Sequence, residues 1–397
     1  MRSAGQTAQL RPARRLRIGL IADAIVERRN GDRIEIANGG VGVYFDRLVR
    51  ELLELDAADL VLFRSGPAGL EIFGDPRLAT IRSRLPRWLH WTRWVDFRFA
   101  ALARRYELDL VHYPNQFGGA FLDRGVRRVM TLHDLTPLAF PRFHPRRAVA
   151  GYRLLLERSL GRADAVIVGS EAVRRELLDL DPGLSDRIAT IPQGVSTAFR
   201  PDRRTPDFLR RFDLPERFVL SVGVLEPRKN HATLVKALAR LHAAGERIGL
   251  VIAGRDGWRW RDPLADTRFA ALRPWVRVLR NVPEDHLVEL YGRAAAFAYP
   301  SFAEGFGLPL LEAMACGCPV VASNAAALRE VGGGAALYAP ATDDDALAER
   351  LLSLLRDPGL RRSSIERGFT RAAEFTWRRT AERTLGIYER VARSRVA

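Results

Sequence analysis

Short apolar runs alternate with amphipathic stretches along most of the 397 residues. In the first half the runs fall at 17–24, 60–64, 108–114, 126–132, 163–169 and 187–192. Between them, 41–55 and 148–160 repeat apolar residues at the helical period. Strand and helix taking turns predicts an α/β chain whose parallel sheet is covered by helices on both faces. The alternation stops in the charged stretch RPDRRTPDFLRRFDLP, 200–215, which carries three prolines and predicts a linker. It restarts with runs at 218–223, 248–254, 276–279, 295–300, 319–323 and 335–339. The expectation is two Rossmann-like, doubly wound domains, 16–200 and 216–375, joined by 201–215 and followed by a closing helix over 376–397. Ligands of such sheets sit beyond the carboxyl ends of the strands, so two facing edges predict a site in the interdomain cleft.

Composition narrows the function classes. Hydrophobic residues make up 47%, which fits a globular chain and not a disordered one. The two cysteines, Cys316 and Cys318, are spaced too tightly for a relaxed disulfide, and no further cysteine completes a zinc site. A reducing, cytoplasmic setting follows as the expectation. Residues 1–15 are polar and basic without the apolar core of a signal peptide, and predict a disordered tail. No run of about 18 apolar residues predicts a membrane-spanning helix. The formal charge of +16 permits nucleic acid, anionic lipid or phosphorylated small molecules as partners, and does not choose among them.

The densest chemistry lies in YPSFAEGFGLPLLEAMACGCPVVAS, 299–323. An apolar strand ends near Ser301, and Glu304 follows in a loop where Gly305 and Gly307 bracket Phe306. Pro309 suits a first helical turn because it needs no N–H donor there, and Gly317 suits the stop. Uncovered N–H groups at this loop and helix start favour an anion. Glu304 and Glu312 would repel phosphate, so they suit hydrogen bonds from sugar hydroxyls. A second cluster, SVGVLEPRKN, presents Arg228 and Lys229 at a strand-end turn, where two fixed cations can stabilise a departing diphosphate without a metal. A solvated basic turn is the plain alternative, but one of only two lysines in the chain falls here. The glycine-rich turn NGGVGVY includes Gly40 and Gly42, and His133 follows a strand where it could donate to a sugar oxygen.

Two Asp-x-Asp sequences, at 179–181 and 343–345, have the spacing of metal-dependent sugar transfer. They read instead as a helix end and a helix cap, so no metal ligand is expected. The segment 82–105 interleaves Trp88, Trp91 and Trp94 with arginines, which suits a peripheral helix on an anionic membrane or a core helix with a solvated basic face. Single-strand nucleic acid also uses arginine and aromatics, but no recognised nucleic-acid module accompanies them.

Together GGVGVY, HDL, IPQGV, VGVLEPRKN, EGFGLPLLEAMACGCPVVAS and FTWRRTAERTLGIY resemble the retaining glycosyltransferase family four, of GT-B fold, over almost the whole chain. The resemblance implies that Glu304 contacts the donor sugar and Glu312 the nucleotide ribose. It implies diphosphate binding by Arg228, Lys229 and the backbone of Phe306, Gly307 and Leu308, with Gly40 and Gly42 closing from the opposite domain. It places His133 against the donor sugar, and the nucleobase against Arg280, Asn281 and Val282. It implies a metal-independent, retaining transfer of a hexose, with mannose from GDP-mannose the expected case. The acceptor would be a glycan or lipid-linked saccharide, polysaccharide biosynthesis the setting, and the last helix would cross back onto the first domain. Val43, Gln193, Ser196 and Arg280 depart from the family's usual residues, which bears on acceptor and base preference. Two other classes remain open: a nucleotide-sugar epimerase on the same fold, and an inactive glycan- or membrane-associated scaffold.

Overall fold

The computed structural model describes residues 15–22, 27–30, 33–36, 39–65, 73, 75, 78–83, 101–115, 125–144, 146–201 and 205–394. Residues 1–14 of the basic tail, and residues 84–100 with all three tryptophans of the arginine-rich segment, lie outside them. Of that segment's end, the helical residues 101–105 include Ala103, which is buried in the first core.

Among the described residues nine strands precede the middle of the chain: β1 Leu16–Ile21, β2 Glu27–Asn30, β3 Arg33–Ile36, β4 Ala58–Ser65, β5 Ala79–Ser83, β6 Leu110–Tyr113, β7 Arg128–Leu132, β8 Ala165–Val168 and β9 Ile188–Thr190. Seven of them form one parallel sheet in the order β5-β4-β1-β6-β7-β8-β9. The edge strand β5 and the antiparallel pair β2–β3 are absent from the sequence expectation. Their sequences, ATIRS, ERRN and RIEI, are too short or too charged to form an apolar run. Six further strands build the second parallel sheet: β10 Phe218–Val222, β11 Gly249–Gly254, β12 Val276–Arg280, β13 Ala296–Tyr299, β14 Val320–Ser323 and β15 Ala336–Ala339. Their order is β12-β11-β10-β13-β14-β15. Central strands such as FVLSV, AFAY and VVAS are buried along their whole length. Helices on both faces leave no polar side to such strands, which is why they read as unbroken apolar runs.

Each sheet has one hydrophobic cluster on each face. The stretch read as a linker is packed more closely than its charge suggests. Phe208 and Leu214 are buried in the second domain's core, and helix Phe208–Arg211 forms between them. The last helix, Trp377–Arg393, buries Trp377, Ala381, Tyr388 and Val391 with Tyr44, Phe45 and Leu48 of helix Gly39–Leu55 in a cluster of the first domain. The chain therefore passes from the second domain back to the first.

The second sheet reverses its winding between β10 and β13, which are hydrogen-bonded neighbours. A crevice opens beyond the carboxyl ends of strands at such a point. Here it lies where the turn after β10 meets the loop after β13.

Candidate active site

The turn after β10 is a short 3-10 segment, Pro227–Lys229, and the loop after β13 carries Glu304. Neighbouring strands bring them together although 75 residues separate Lys229 from Glu304. Lys229 Nζ donates to Glu304 Oε1 at 2.7 Å and to the Tyr299 hydroxyl at 2.8 Å. Arg228 lies 2.9 Å from Glu304 Oε2 and 2.5 Å from Glu226 Oε1, and also donates to the Ala303 carbonyl at 2.6 Å. The four charged side chains are 1–11% exposed. Burial alone would raise the Glu304 carboxyl, but the charges of Arg228 and Lys229 override it and hold the group at about 2. Burial raises Glu226 above the ordinary glutamate value against the pull of Arg228. Glu226 Oε2 and Arg228 Nε are buried without a hydrogen-bond partner. Buried donors and acceptors are almost always matched, so two unmatched atoms in one cluster mark a place with spare hydrogen-bonding capacity.

The motif predicts Arg228 and Lys229 at a strand-end loop. In the structure they are buried and held by carboxylates. The reason is local: Glu226 precedes the turn, and β13 delivers Glu304 onto it.

Helix Leu308–Ala315 starts after Gly307 and carries Glu312. Its carboxylate accepts from the Tyr291 hydroxyl at 2.9 Å. Burial pushes Glu312 up to about 7, against the lowering effect of that hydrogen bond. Phe306 packs on Gly169 and edge-on to Phe375 at 5.9 Å, and Leu308 touches a cluster of each domain.

His133 follows β7 on the opposing sheet. Its Nε2 donates to the Pro114 carbonyl at 2.8 Å, and its ring meets the Tyr44 ring edge-on at 5.0 Å. Burial lowers its basicity despite that carbonyl, so the imidazole is neutral at pH 7. Gly305 passes directly against it. A Cβ at Gly305 would lie 1.8 Å from the His133 carbonyl oxygen, so no larger residue fits between the two domains there. His133 and Glu304 are thus brought to one place.

Gly40 and Gly42 lie in the first turn of helix Gly39–Leu55, where Gly40 is exposed and Gly42 buried. Arg280 ends β12 and pairs with Asp256 at 2.8 Å, with its guanidinium 5.6 Å from the centre of the Trp260 ring. Asn281 has φ of 53° and donates its N–H to the Gly254 carbonyl, while Val282 packs on the second core.

Contacts across the cleft use residues that the motifs did not single out. One Arg47 guanidinium nitrogen, Nη2, donates to both carboxylate oxygens of Glu284, at 2.7 and 2.9 Å. Glu330 accepts from the N–H groups of Glu171 and Ala172 at 2.7 and 2.9 Å, at the start of helix Glu171–Leu180. Ser170 Oγ donates to the Gly305 carbonyl at 2.7 Å, Trp258 Nε1 donates to the Phe143 carbonyl at 2.7 Å, and Phe143 stacks on Phe302 at 5.2 Å. Glu226 had one available signal, its place in the EPRK sequence. Glu330 and Arg47 had none, because their partners lie 158 or more residues away.

Among the described residues no group of three or more His, Cys, Asp or Glu is arranged to hold a metal. Asp343 caps helix Asp344–Arg356 by accepting from Ala346 N, and Asp181 accepts from Gly183 N. No helix among the described residues is long and apolar enough to cross a membrane.

Two doubly wound sheets facing across such a cleft, joined by a returning helix, define the GT-B class. Residues 38–199 match the family described as Glycosyltransferase Family 4, and residues 203–371 match Glycosyl transferases group 1. The O-antigen chain mannosyltransferase B of Escherichia coli is 34% identical over 324 residues, 79% of this chain and 83% of that one. A D-inositol 3-phosphate glycosyltransferase of Salinispora tropica is 31% identical over 404 residues, covering 90% and 82%. Among solved structures, the sucrose-phosphate synthase of Thermosynechococcus elongatus superposes with a TM-score of 0.74 at 24% identity, covering 95% of this chain and 99% of that one. Anabaena HepE, solved with UDP and glucose, superposes with a TM-score of 0.71 at 16% identity, covering 94% and 98%. The chain belongs to the group 1, family 4 glycosyltransferases and is an enzyme of that class.

Proposed function

We propose that the enzyme transfers a mannosyl group from a nucleotide sugar, GDP-mannose, to a saccharide acceptor, with retention at the anomeric carbon and without a metal. The observation that carries the reading is the Arg228–Lys229–Glu304 cluster at the switch point of the second sheet. A nucleoside diphosphate leaving a sugar gains negative charge, and fixed cations stabilise that charge as it forms. In the free enzyme Glu304 pairs with both cations, and Glu226 supplies a second carboxylate to Arg228. The incoming donor offers the cations phosphate oxygens, and Glu304 turns toward the sugar hydroxyls, which can donate to it. Glu312, half-ionised near neutral pH, is placed on the helix behind the loop to accept from the ribose hydroxyls. His133 spends its one N–H on the Pro114 carbonyl, so its other nitrogen would meet the sugar as an acceptor of a hydroxyl proton and not as the donor that the sequence suggested. Mannose rests on the 34% identity to a mannosyltransferase.

In the reaction the bond from the anomeric carbon to the diphosphate oxygen breaks, and an acceptor hydroxyl bonds to that carbon from the same face. Its proton passes to the departing phosphate oxygen, so the products are the lengthened saccharide and the nucleoside diphosphate. We further propose that the acceptor is a glycan or lipid-linked saccharide met at a membrane surface. Thermal shift with a panel of GDP- and UDP-sugars tests the donor, since a ligand that binds only the native state raises its melting temperature. A shift confined to GDP-sugars, largest for GDP-mannose, is the expected result. No shift with any nucleotide sugar would remove the reading.

A further inference from the structure

Arg255 follows β11 at the carboxyl edge of the second sheet. Its backbone carbonyl accepts from Leu225 N at 2.8 Å, which ties it to the same loop that leads to Arg228. Its side chain crosses to the first domain and lies against Gly39, the first residue of helix Gly39–Leu55. A Cβ on Gly39 would stand 3.1 Å from Arg255 Nε and 3.3 Å from one terminal guanidinium nitrogen. Gly39 also has φ of +61°, so glycine meets two needs there.

The partners of this guanidinium differ from those of its neighbours. Arg228 and Lys229 are each paired with a carboxylate, and Arg280 is paired with Asp256. No described residue hydrogen-bonds or ion-pairs with the Arg255 side chain, and its Nε is buried without an acceptor. A desolvated donor with no acceptor carries the full cost of leaving water, and a cation at a cleft edge is where an anionic ligand removes that cost. The glycine-rich turn beside it adds no carboxylate among the described residues.

We infer that Arg255 binds a phosphate oxygen of a ligand held in the cleft. This rests on the proposed function for the identity of one source, the donor diphosphate. The other source of the same chemistry is a phosphate carried by the acceptor. Arg228 and Lys229 are paired with carboxylates in the free enzyme, and Arg255 is left for the ligand.

Calorimetric titration with GDP, UDP, guanosine and inorganic pyrophosphate tests it on the full chain. Arg255→Ala should weaken GDP at least about tenfold, the scale of one charge-assisted contact, and leave guanosine within about twofold. Arg255→Lys should fall between, because an ammonium supplies charge without the two-pronged fork. Gly39→Ala pushes on the guanidinium and should weaken GDP in the same sense while Arg255 itself is intact. The melting temperature of each ligand-free variant checks that it folds. If GDP is unaffected but pyrophosphate binds the GDP-saturated enzyme and loses that binding in Arg255→Ala, the phosphate belongs to the acceptor. Equal affinities of wild type and Arg255→Ala for every phosphate probe would overturn the inference. Failure of both nucleoside diphosphates to bind the wild type would instead remove the donor reading, and pyrophosphate alone would then judge Arg255.

Discussion

Replacing Glu304 with Gln removes one negative charge from a cluster with two cations. Oε1 and Oε2 sit 2.7 Å from Lys229 and 2.9 Å from Arg228, and the carboxylate is 8% exposed. A glutamate held at about 2, where the ordinary value is 4.5, has its charged form stabilised by about 3 kcal/mol at 1.36 kcal/mol per pH unit. That agrees with the roughly 3–5 kcal/mol lost when one partner of a buried pair is removed. The amide keeps the shape of the carboxylate, yet it leaves Arg228 and Lys229 with Glu226 alone. Glu304→Gln should therefore lower unfolding free energy at pH 7 by about 3 kcal/mol, read as a lower urea midpoint with an unchanged slope. The sign with pH follows from the depressed value. Glu304 contributes stability above about 4.5, and that contribution is lost as pH falls toward 2. The variant should thus show a shallower loss of stability over that window. GDP should restore more stability to the variant than to the wild type, because phosphate supplies the missing negative charge. A variant within about 0.5 kcal/mol of wild type at pH 7, the range of an ordinary surface change, would refute the electrostatic argument.

Lys229→Ala should cost at least about tenfold in kcat/KM, equivalent to about 1.4 kcal/mol of leaving-group stabilisation; steady-state kinetics equal to wild type would remove Lys229 from the reaction. Glu312→Gln should raise donor KM more than it lowers kcat, since a ribose contact is made equally before and during reaction. In the wild type, donor KM should fall as pH rises through about 7, where Glu312 ionises into the stronger acceptor, and a KM profile unchanged by Glu312→Gln would contradict that role. Glu330→Ala removes two hydrogen bonds between the domains, so small-angle scattering should give a larger radius of gyration, with an identical radius counting against it. Activity should survive EDTA, because Asp343 is occupied as a helix cap and Asp344 by Arg240; loss of activity with recovery on Mn²⁺ would reverse this.

The fold was legible because both sheets are buried on two faces, so their central strands stand out as apolar runs between helical patterns. The loop EGFGLP was legible through its glycines and proline, which specify backbone before any packing is known. What stayed hidden depends on tertiary pairing. β5 gains its place only by lying against β4, and Phe208, Leu209 and Phe212 look like scattered apolar residues among charges until the second core takes them in. The family resemblance implies a sugar contact for Glu304 and a phosphate contact for Lys229. Their mutual ion pair follows only from β10 and β13 being neighbours. Arg47–Glu284 and the Glu330 contact join residues that no local pattern relates.

The proposed reaction is a retaining transfer of mannose from GDP-mannose in this cleft. Proton NMR of purified enzyme with GDP-mannose and a mannose-terminated oligosaccharide, followed from the first minutes, tests it directly. The expected result is loss of the donor anomeric signal, release of GDP, and a new α-configured linkage from the first detectable product. A β-configured product, or no transfer from this donor while another nucleotide sugar is consumed, would contradict it.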